Sequence, residues 1–208
     1  EAVLAVKSVL VDLNDAAATL PNSYNSVENI TPLETPLSST INGAALATPV
    51  FLSLYAENDL RLDKYFAETD EKGFRKNKKA GSNNYLCTFR VGEIYLTAAE
   101  AAARLGELSQ ARTRLLELMR KRYAPEAYEA KSVVVNAMDK EALVQEILDE
   151  RARELAFEGH RWFDLRRSTR PRLEKVLDGT RYVLEENDAR YTLAIPKEAI
   201  EANPGLLN

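Results

Sequence analysis

The chain is poor in the residues that build most reactive and metal-binding centres. Its 208 residues include a single cysteine, Cys87, and a single histidine, His160. One cysteine excludes an internal disulfide and a multi-cysteine metal site, and one histidine argues equally against a histidine-based metal cluster. The eight glycines are scattered, so no glycine-rich loop is present to hold a phosphate group. We therefore expect no metal and no cofactor.

Positive charge and long apolar runs are also lacking. With 28 basic and 32 acidic side chains, the net charge of −4 provides no overall positive field for a phosphate backbone, so nucleic acid is not an expected partner. No apolar run approaches the roughly 18 residues that cross a bilayer, and no signal-peptide pattern starts the chain. Both a cytoplasmic protein and a protein whose leader has been removed fit this composition.

The apolar content, by contrast, is ample for a folded core. Hydrophobic residues make up 45% of the chain and charged residues 29%, which is typical of a globular protein and not of a disordered one. At this length we expect a single domain over residues 1–208, with room for a loosely attached arm.

The first part of the chain divides into a helical and an irregular segment. Apolar residues in 1–20 recur every three or four positions, which predicts a leading amphipathic helix that ends before Pro21. Residues 21–84 are predicted to be irregular and loop-rich, because Asn, Ser, Thr and Pro are frequent in the first half and Gly73 and Gly81 interrupt the second. Loops this long are rare in compact domains unless they carry function.

Regular structure is predicted to dominate over residues 85–208. An apolar helical face over 89–105 ends at Gly106, and Ser109 is the predicted N-cap of the next helix. The turn between them is short, so the two helices should form an antiparallel pair of tetratricopeptide type. A second copy is not evident in the sequence, which argues against a regular solenoid.

Three further elements are predicted towards the end of the chain. Asp139 can cap a helix that begins near Lys140. Residues 181–184 and 191–195 have strand-like composition and are predicted to pair as a small hairpin. Pro196 suits the first turn of a short helix.

The helix that follows Asp139 carries the strongest candidates for catalysis. Glu150, Glu154 and Glu158 are four residues apart and share a helix face, as a paired acid and base of a glycoside hydrolase would require. Three arginines lie within pairing reach: Arg151, Arg153 and Arg161. Guanidinium partners depress the pKa of a carboxyl group, whereas a general acid needs a raised pKa, so ion pairing is the favoured interpretation. No enzyme signature is found elsewhere, and we expect no catalytic activity.

Aromatic side chains are the remaining candidates for ligand binding. Tyr and Trp rings stack on sugars and other flat apolar ligands. Tyr24, Tyr55 and Tyr65 lie in or near the irregular segment and are the candidate ligand-binding residues, whereas Trp162 and Phe163 are predicted to pack in the core.

Three stretches together resemble a known family. FRVGEIYLTAAEAAARLGELSQA begins at Phe89, DERARELAFEGHRWFDLRR at Asp149 and YTLAIPKEAIEANPGLLN at Tyr191. In this order they closely resemble the C-terminal half of the SusD/RagB family, the nutrient-binding outer-membrane lipoproteins of Bacteroidetes. NDLRLDKYF, which begins at Asn58, resembles another region of the same family less specifically.

The resemblance implies a fold and a function. The fold would be mainly α, a SusD-like superhelix of tetratricopeptide-like helix pairs with irregular loops and a small C-terminal hairpin. The function would be non-catalytic capture of oligosaccharides or other nutrients at the cell surface for a SusC-like TonB-dependent transporter. The protein would be anchored by lipid in the outer membrane. Because ligand residues of the family lie mainly in variable loops, the resemblance assigns none here.

Two departures from the family pattern matter. The family's lipid-anchored cysteine lies near the mature N-terminus, and Cys87 is too deep in the chain to be that residue. Family members are also longer, so the chain is expected to be a fragment or a reduced member. The alternative function is a tetratricopeptide-like protein-interaction module without glycan binding, which buried tyrosines would favour and a concave site with exposed tyrosines would oppose.

Overall fold

The computed structural model describes residues 5, 7–23, 25–34, 46–79 and 85–207. The chain divides into two compact units, and the boundary falls between His160 and Arg161. The sequence suggested one domain over residues 1–208, and that assignment stays a prediction.

The described residues of the first unit form six helices. They are α1 (Pro49–Leu52), α2 (Arg61–Tyr65), α3 (Val91–Leu105), α4 (Leu108–Met119), α5 (Pro125–Ala137) and α6 (Lys140–Glu154). Gly106 ends α3 with a φ of 86°, as predicted, because glycine reaches this left-handed conformation without a steric cost. The side chain of Asp139 caps α6 by accepting a hydrogen bond of 2.9 Å from the Ala142 amide, also as predicted. The predicted N-cap of α4 is wrong, since Glu107 and not Ser109 precedes that helix.

The main core lies between α3, α4, α5 and α6. Buried alanines on α3, including Ala99 and Ala103, allow α4 to pack closely through Leu115 and Leu118. Ile147 of α6 belongs to the same apolar cluster. The mainly α fold with a helix pair of tetratricopeptide type is therefore confirmed.

Residues 21–84 are more regular than their composition predicts. Strand β1 (Asn29–Glu34) pairs antiparallel with β5 (Tyr85–Arg90), and β2 (Leu46–Ala47), β4 (Arg75–Asn77) and β3 (Phe66–Thr69) form a three-stranded sheet in that order. Each strand is short, and β1 and β2 pair with strands that are distant in sequence, so local composition carried little signal. These strands are regular structure that the prediction of an irregular, loop-rich segment did not include.

The leading helix predicted over 1–20 is wrong for residues 7–20, which form coil and turns. Long-range contacts hold this stretch instead: the Val11 amide donates to Glu28 Oε1 at 2.9 Å and the Leu13 amide to the Lys121 carbonyl at 2.9 Å. Both apolar side chains are buried. Tertiary contacts thus override the helical spacing, while residues 1–4 and 6 lie outside the described part of the chain.

The second unit contains a hairpin, but the strand that pairs with residues 181–184 precedes them in the chain and does not follow them as predicted. Its elements are α7 (Arg161–Arg167), β6 (Leu173–Leu177), β7 (Thr180–Leu184) and α8 (Lys197–Ala202). Residues 181–184 pair with β6 and not with 191–195. Asp178 and Gly179 form the turn with φ values of 48° and 76°, and an Asp-Gly pair between strands is a strong hairpin signal that the sequence already contained.

Trp162 and Phe163 differ in their environments. Trp162 is half-buried and stacks on the ring of Tyr191, with centroids 5.2 Å apart and an angle of 11° between the planes. Phe163 is 63% exposed, so its predicted core packing is wrong.

Candidate functional site

The glutamates proposed above as a possible acid and base lie inside a buried charge cluster. Ten buried side chains form it: Glu28, Asp59, Arg61, Lys79, Arg90, Arg122, Glu150, Arg153, Glu154 and Glu158. Five are acidic and five are basic, so their formal charges cancel. The cluster joins residues of the first ninety positions to α6 and to the turn that follows it.

Glu154 lies at the centre of this cluster and contacts three arginines. Its Oε1 accepts hydrogen bonds from Arg90 Nη1 at 2.6 Å and Arg122 Nη2 at 2.9 Å. Its Oε2 accepts from Arg122 Nε at 2.9 Å and Arg61 Nη1 at 3.1 Å. Burial alone would raise the pKa of this carboxyl group, but the three guanidinium groups outweigh burial and hold the pKa well below its usual range.

Glu150 is paired in the same way at one side of the cluster. It accepts from Arg61 Nη1 at 2.6 Å, from Arg153 Nε at 2.9 Å and from the Tyr123 hydroxyl at 3.2 Å. Burial opposes ionisation here too, yet Arg61 and Arg153 lower the pKa of Glu150 to about 2. A carboxyl group with this pKa stays ionised at neutral pH and cannot serve as a general acid.

Glu158 and Lys79 form the other side of the cluster. Glu158 pairs with Lys79 and accepts from Arg90 Nε at 2.9 Å, and these cations lower its pKa against the opposing effect of burial. Lys79 Nζ also donates to the Glu154 carbonyl at 2.7 Å and lies 4.3 Å from the centroid of the Tyr65 ring. Burial lowers the pKa of Lys79 to about 8. Lys79, the last residue of a basic run over residues 75–79, is therefore a buried member of the cluster.

Hydrolysis by Glu150, Glu154 or Glu158 is excluded by this geometry, because all three are buried and ion-paired. The ion-pair interpretation is confirmed, but most of the partners were not foreseen. Arg153 was predicted, whereas Arg61, Arg90 and Arg122 come from positions 32 to 93 residues away. No local spacing in the sequence carries that information.

Gly92 is required by the close approach of this cluster to the start of α3. A Cβ atom at position 92 would lie 2.6 Å from Arg90 Nη1 and 3.1 Å from Glu154 Oε1. Both atoms are fixed by ion pairs, so neither can move without breaking one. The glycine of the VGEIY stretch thus makes room for buried charges.

Two of the three candidate tyrosines are core residues. Tyr55 is 7% exposed and Tyr65 is fully buried, in an apolar cluster with Phe51, Phe66 and Phe157. Rings in this cluster meet edge to face, with Tyr55 and Phe66 centroids 5.6 Å apart. Neither tyrosine is open to a ligand in this structure, so their assignment as ligand-binding residues is corrected. Tyr24 lies outside the described residues, and its assignment stays a prediction.

The two buried tyrosines should respond differently to loss of the hydroxyl group. The Tyr55 hydroxyl donates to the Arg153 carbonyl at 2.8 Å, whereas the Tyr65 hydroxyl has no hydrogen-bond partner among the described residues. We expect Tyr55→Phe to lower the free energy of unfolding by about 1–2 kcal/mol and Tyr65→Phe to leave it unchanged or raise it slightly. Urea denaturation of both variants measures this, and equal losses would contradict the assigned bonding.

An open cleft lies where residues 12–14 meet the loop between α4 and α5. Its volume is about 310 Å³, and it is lined by Asp12, Asn14, Arg120, Lys121, Pro125, Tyr128 and Glu129. Lys121 Nζ pairs with Asp12 Oδ2 at 2.8 Å. Asn14 Nδ2 donates to Asp12 Oδ1 at 3.0 Å and to the Tyr123 carbonyl at 3.2 Å. Several polar groups of the cleft are therefore held in place.

A second cleft lies beside β3 and β4, with a volume of about 380 Å³. It is lined by Asp63, Phe66, Ala67, Glu68, Thr69, Arg75 and Lys78. Arg75 pairs with Asp63 at 2.9 Å and Lys78 donates to the Asp63 carbonyl at 2.8 Å, while the Phe66 ring is buried. This cleft therefore offers no exposed aromatic ring. Of the two clefts, only the one at Tyr128 combines a partly exposed aromatic ring with fixed polar groups.

The described part of the chain contains neither a metal-binding cluster nor a membrane-spanning helix. No group of three or more Cys, His, Asp and Glu side chains is arranged to hold a metal ion there. Among the same residues, no helix has the length and apolar content that crossing a membrane requires.

Comparison with known proteins identifies a family and several solved structures. The model of the SusD family matches residues 44–208. No curated protein matches the chain. A SusD-like carbohydrate-binding protein from Bacteroides vulgatus superposes with a TM-score of 0.67 at 18% identity, over 98% of this chain and 53% of that one.

Two further solved structures share the fold. A SusD superfamily protein from Bacteroides thetaiotaomicron gives a TM-score of 0.68 at 21% identity, covering 95% of this chain and 51% of that one. One from Bacteroides fragilis gives 0.55 at 24% identity, covering 74% and 34%. The chain thus spans about half the length of the first two structures. At these identities the likeness establishes the fold alone.

Proposed function

Because the chain belongs to the SusD family, whose model matches residues 44–208, we propose that it binds glycans or other nutrients at the cell surface. In this proposal it delivers them to a SusC-like TonB-dependent transporter of the outer membrane and performs no chemistry on them. In the same proposal, a lipid anchor holds the protein at that membrane. The family match is the observation that carries the proposal.

Two features of the molecule support a binding role without catalysis. The carboxylates with the most suggestive spacing, Glu150, Glu154 and Glu158, are buried and paired with arginine and lysine. The cleft beside Tyr128 offers an aromatic ring, fixed carboxylate and amide groups and open access to solvent, which suits recognition of a polyhydroxylated ligand. One solved structure of this fold is a carbohydrate-binding protein.

A second candidate function is a protein-interaction module of tetratricopeptide type. The burial of Tyr55 and Tyr65 favours it, because two of the three tyrosines expected around a glycan site are absent from the surface. Val133 and Val134 on α5 are 70% and 53% exposed and would supply an apolar contact for another polypeptide. The candidate ligands of the two functions are starch, mucin glycan and plant polysaccharide for the first and peptide for the second.

A panel experiment separates the two functions. Purified protein is titrated calorimetrically with soluble starch, mucin glycans, plant polysaccharides and a peptide pool. We expect saturable binding to at least one glycan and no change in the chain length of that glycan after prolonged incubation. Binding to peptides with no response to any glycan would replace the proposed function by the interaction module.

A further inference from the structure

We propose that the cleft bounded by Asp12 and Tyr128 is a subsite for one or two units of an uncharged sugar. This inference rests on the proposed glycan-binding function and names the place and the ligand class within it. The cleft volume of about 310 Å³ is at the lower end of the roughly 300–1,000 Å³ found for ligand pockets, which restricts the occupant to a small part of a glycan.

The charge balance of the cleft selects a neutral ligand. Arg120 and Lys121 contribute two positive charges, and Asp12 and Glu129 contribute two negative charges. Lys121 is already neutralised by its ion pair with Asp12 at 2.8 Å. The same ion pair neutralises Asp12. A uronate or sulfated sugar placed near Arg120 would still meet the carboxylate of Glu129, which is unpaired among the described residues, and like charges at short range disfavour binding.

The cleft offers both a donor and an acceptor that are not already engaged. Within the described part of the chain, the Arg120 guanidinium and the Glu129 carboxylate make no hydrogen bond or ion pair, and both residues are exposed. A sugar hydroxyl group donates one hydrogen bond and accepts others, so it needs both kinds of partner. Planar groups such as guanidinium and carboxylate can each contact two neighbouring hydroxyls.

An apolar wall completes the cleft. Tyr128 is half-buried at the start of α5 and packs against the main core, while Pro125 lies one turn before it in the first turn of the helix. The Tyr128 amide donates to the Ala124 carbonyl at 2.9 Å, so the backbone under the ring is helical and fixed. A ring held in this way loses little conformational entropy when a sugar face stacks on it.

The opposite wall is also fixed before any ligand arrives. The Leu13 amide donates to the Lys121 carbonyl at 2.9 Å, which ties the stretch that carries Asp12 and Asn14 to the loop after α4. Asn14 bonds both Asp12 and the Tyr123 carbonyl. Preorganisation of this kind lowers the entropic cost of binding.

The test measures how cleft variants change the affinity for neutral and acidic oligosaccharides. The full chain is titrated with neutral gluco-, manno-, galacto- and xylo-oligosaccharides and with matched uronate oligomers. We expect Tyr128→Ala and Arg120→Ala each to weaken binding of a neutral oligosaccharide by about tenfold or more. Tyr182→Ala, which removes a 56% exposed tyrosine of β7 in the other unit, should change the affinity by less than about twofold.

Four outcomes are distinguishable. Loss of neutral-sugar affinity in Arg120→Ala, whose side chain is exposed and whose thermal melt should match the parent, supports the subsite even if Tyr128→Ala folds poorly. Neutral-sugar binding that is unaffected by both variants overturns the subsite while the proposed function stands. Binding of uronate oligomers alone overturns the neutral ligand class. Absence of binding to every glycan removes the proposed function and the subsite together.

Discussion

Replacement of Glu154 by Gln is expected to lower the free energy of unfolding by about 3–5 kcal/mol. Glutamine has nearly the same shape, so the loss is not that of a cavity. It arises because Arg61, Arg90 and Arg122 are fully buried and would lose the negative charge that all three contact. The amide nitrogen would also face guanidinium donors and accept no hydrogen bond from them.

This loss of stability measures the cost of leaving buried arginine charges uncompensated. It is not the net contribution of the cluster to the stability of the fold. Taking two charges out of water costs several kcal/mol per ion, and their attraction repays the cost only with good geometry and further hydrogen bonds. Glu154 has both, with four hydrogen bonds between 2.6 and 3.1 Å. Removal of the anion therefore leaves the desolvation cost of the arginines without a compensating attraction.

Glu141→Gln is the matched control, because Glu141 lies on the same helix and is exposed. Its loss should be below about 1 kcal/mol, the scale of a single charge in the first turn of a helix. Urea denaturation at pH 7, followed by circular dichroism, measures both variants. Similar small losses in the two variants would mean that the cluster is far more hydrated than its burial indicates.

Local features of the fold could be predicted from the sequence because they depend on neighbouring residues. The end of α3 at Gly106 follows from the conformational freedom of glycine, and the start of α6 follows from the side chain of Asp139. The apolar residues of α3 recur at helical spacing, which predicted that helix, although Leu105 at its end is 77% exposed.

Features that depend on distant partners could not be predicted in this way. Residues 7–20 have helical spacing, but contacts with Glu28 and Lys121 hold them in coil and turns. Lys79 belongs to a polar run, and only the tertiary structure places it beside Glu158.

The candidate cleft shows the same limit. It joins residues 12–14 to residues 120–129, and no motif in either stretch points to the other. The hairpin of β6 and β7 is different, because the Asp178-Gly179 pair that forms its turn is a local hairpin signal in the sequence itself.

Acid is expected to unfold the protein through the carboxyl groups of the buried charge cluster. The pKa of Glu150 falls from an ordinary value of 4.5 to about 2 in the folded protein, and those of Glu154 and Glu158 are also lowered. A lowered pKa in the folded state means that the unfolded chain binds more protons in this range, so stability falls as the pH falls. The stabilisation is complete above pH 4.5 and is lost as the pH decreases towards 2.

The expected size follows from the same linkage. For Glu150 the difference between 4.5 and about 2 corresponds to about 3 kcal/mol, and Glu154 and Glu158 add losses of the same sign. The arginines that face these groups stay protonated throughout, and so does Lys79, whose pKa is about 8. We therefore expect the urea midpoint to be nearly constant from pH 7 to 5 and to fall steeply from pH 4.5 to 2.

Glu150→Gln tests the origin of this pH dependence. The variant should be less stable than the parent at pH 7, but its stability should fall less between pH 4.5 and 2, because glutamine does not titrate. Glu141→Gln should keep the slope of the parent, since Glu141 is exposed. A parent midpoint that stays constant down to pH 2, or three identical slopes, would show that exposed carboxylates and not the buried cluster govern the acid response.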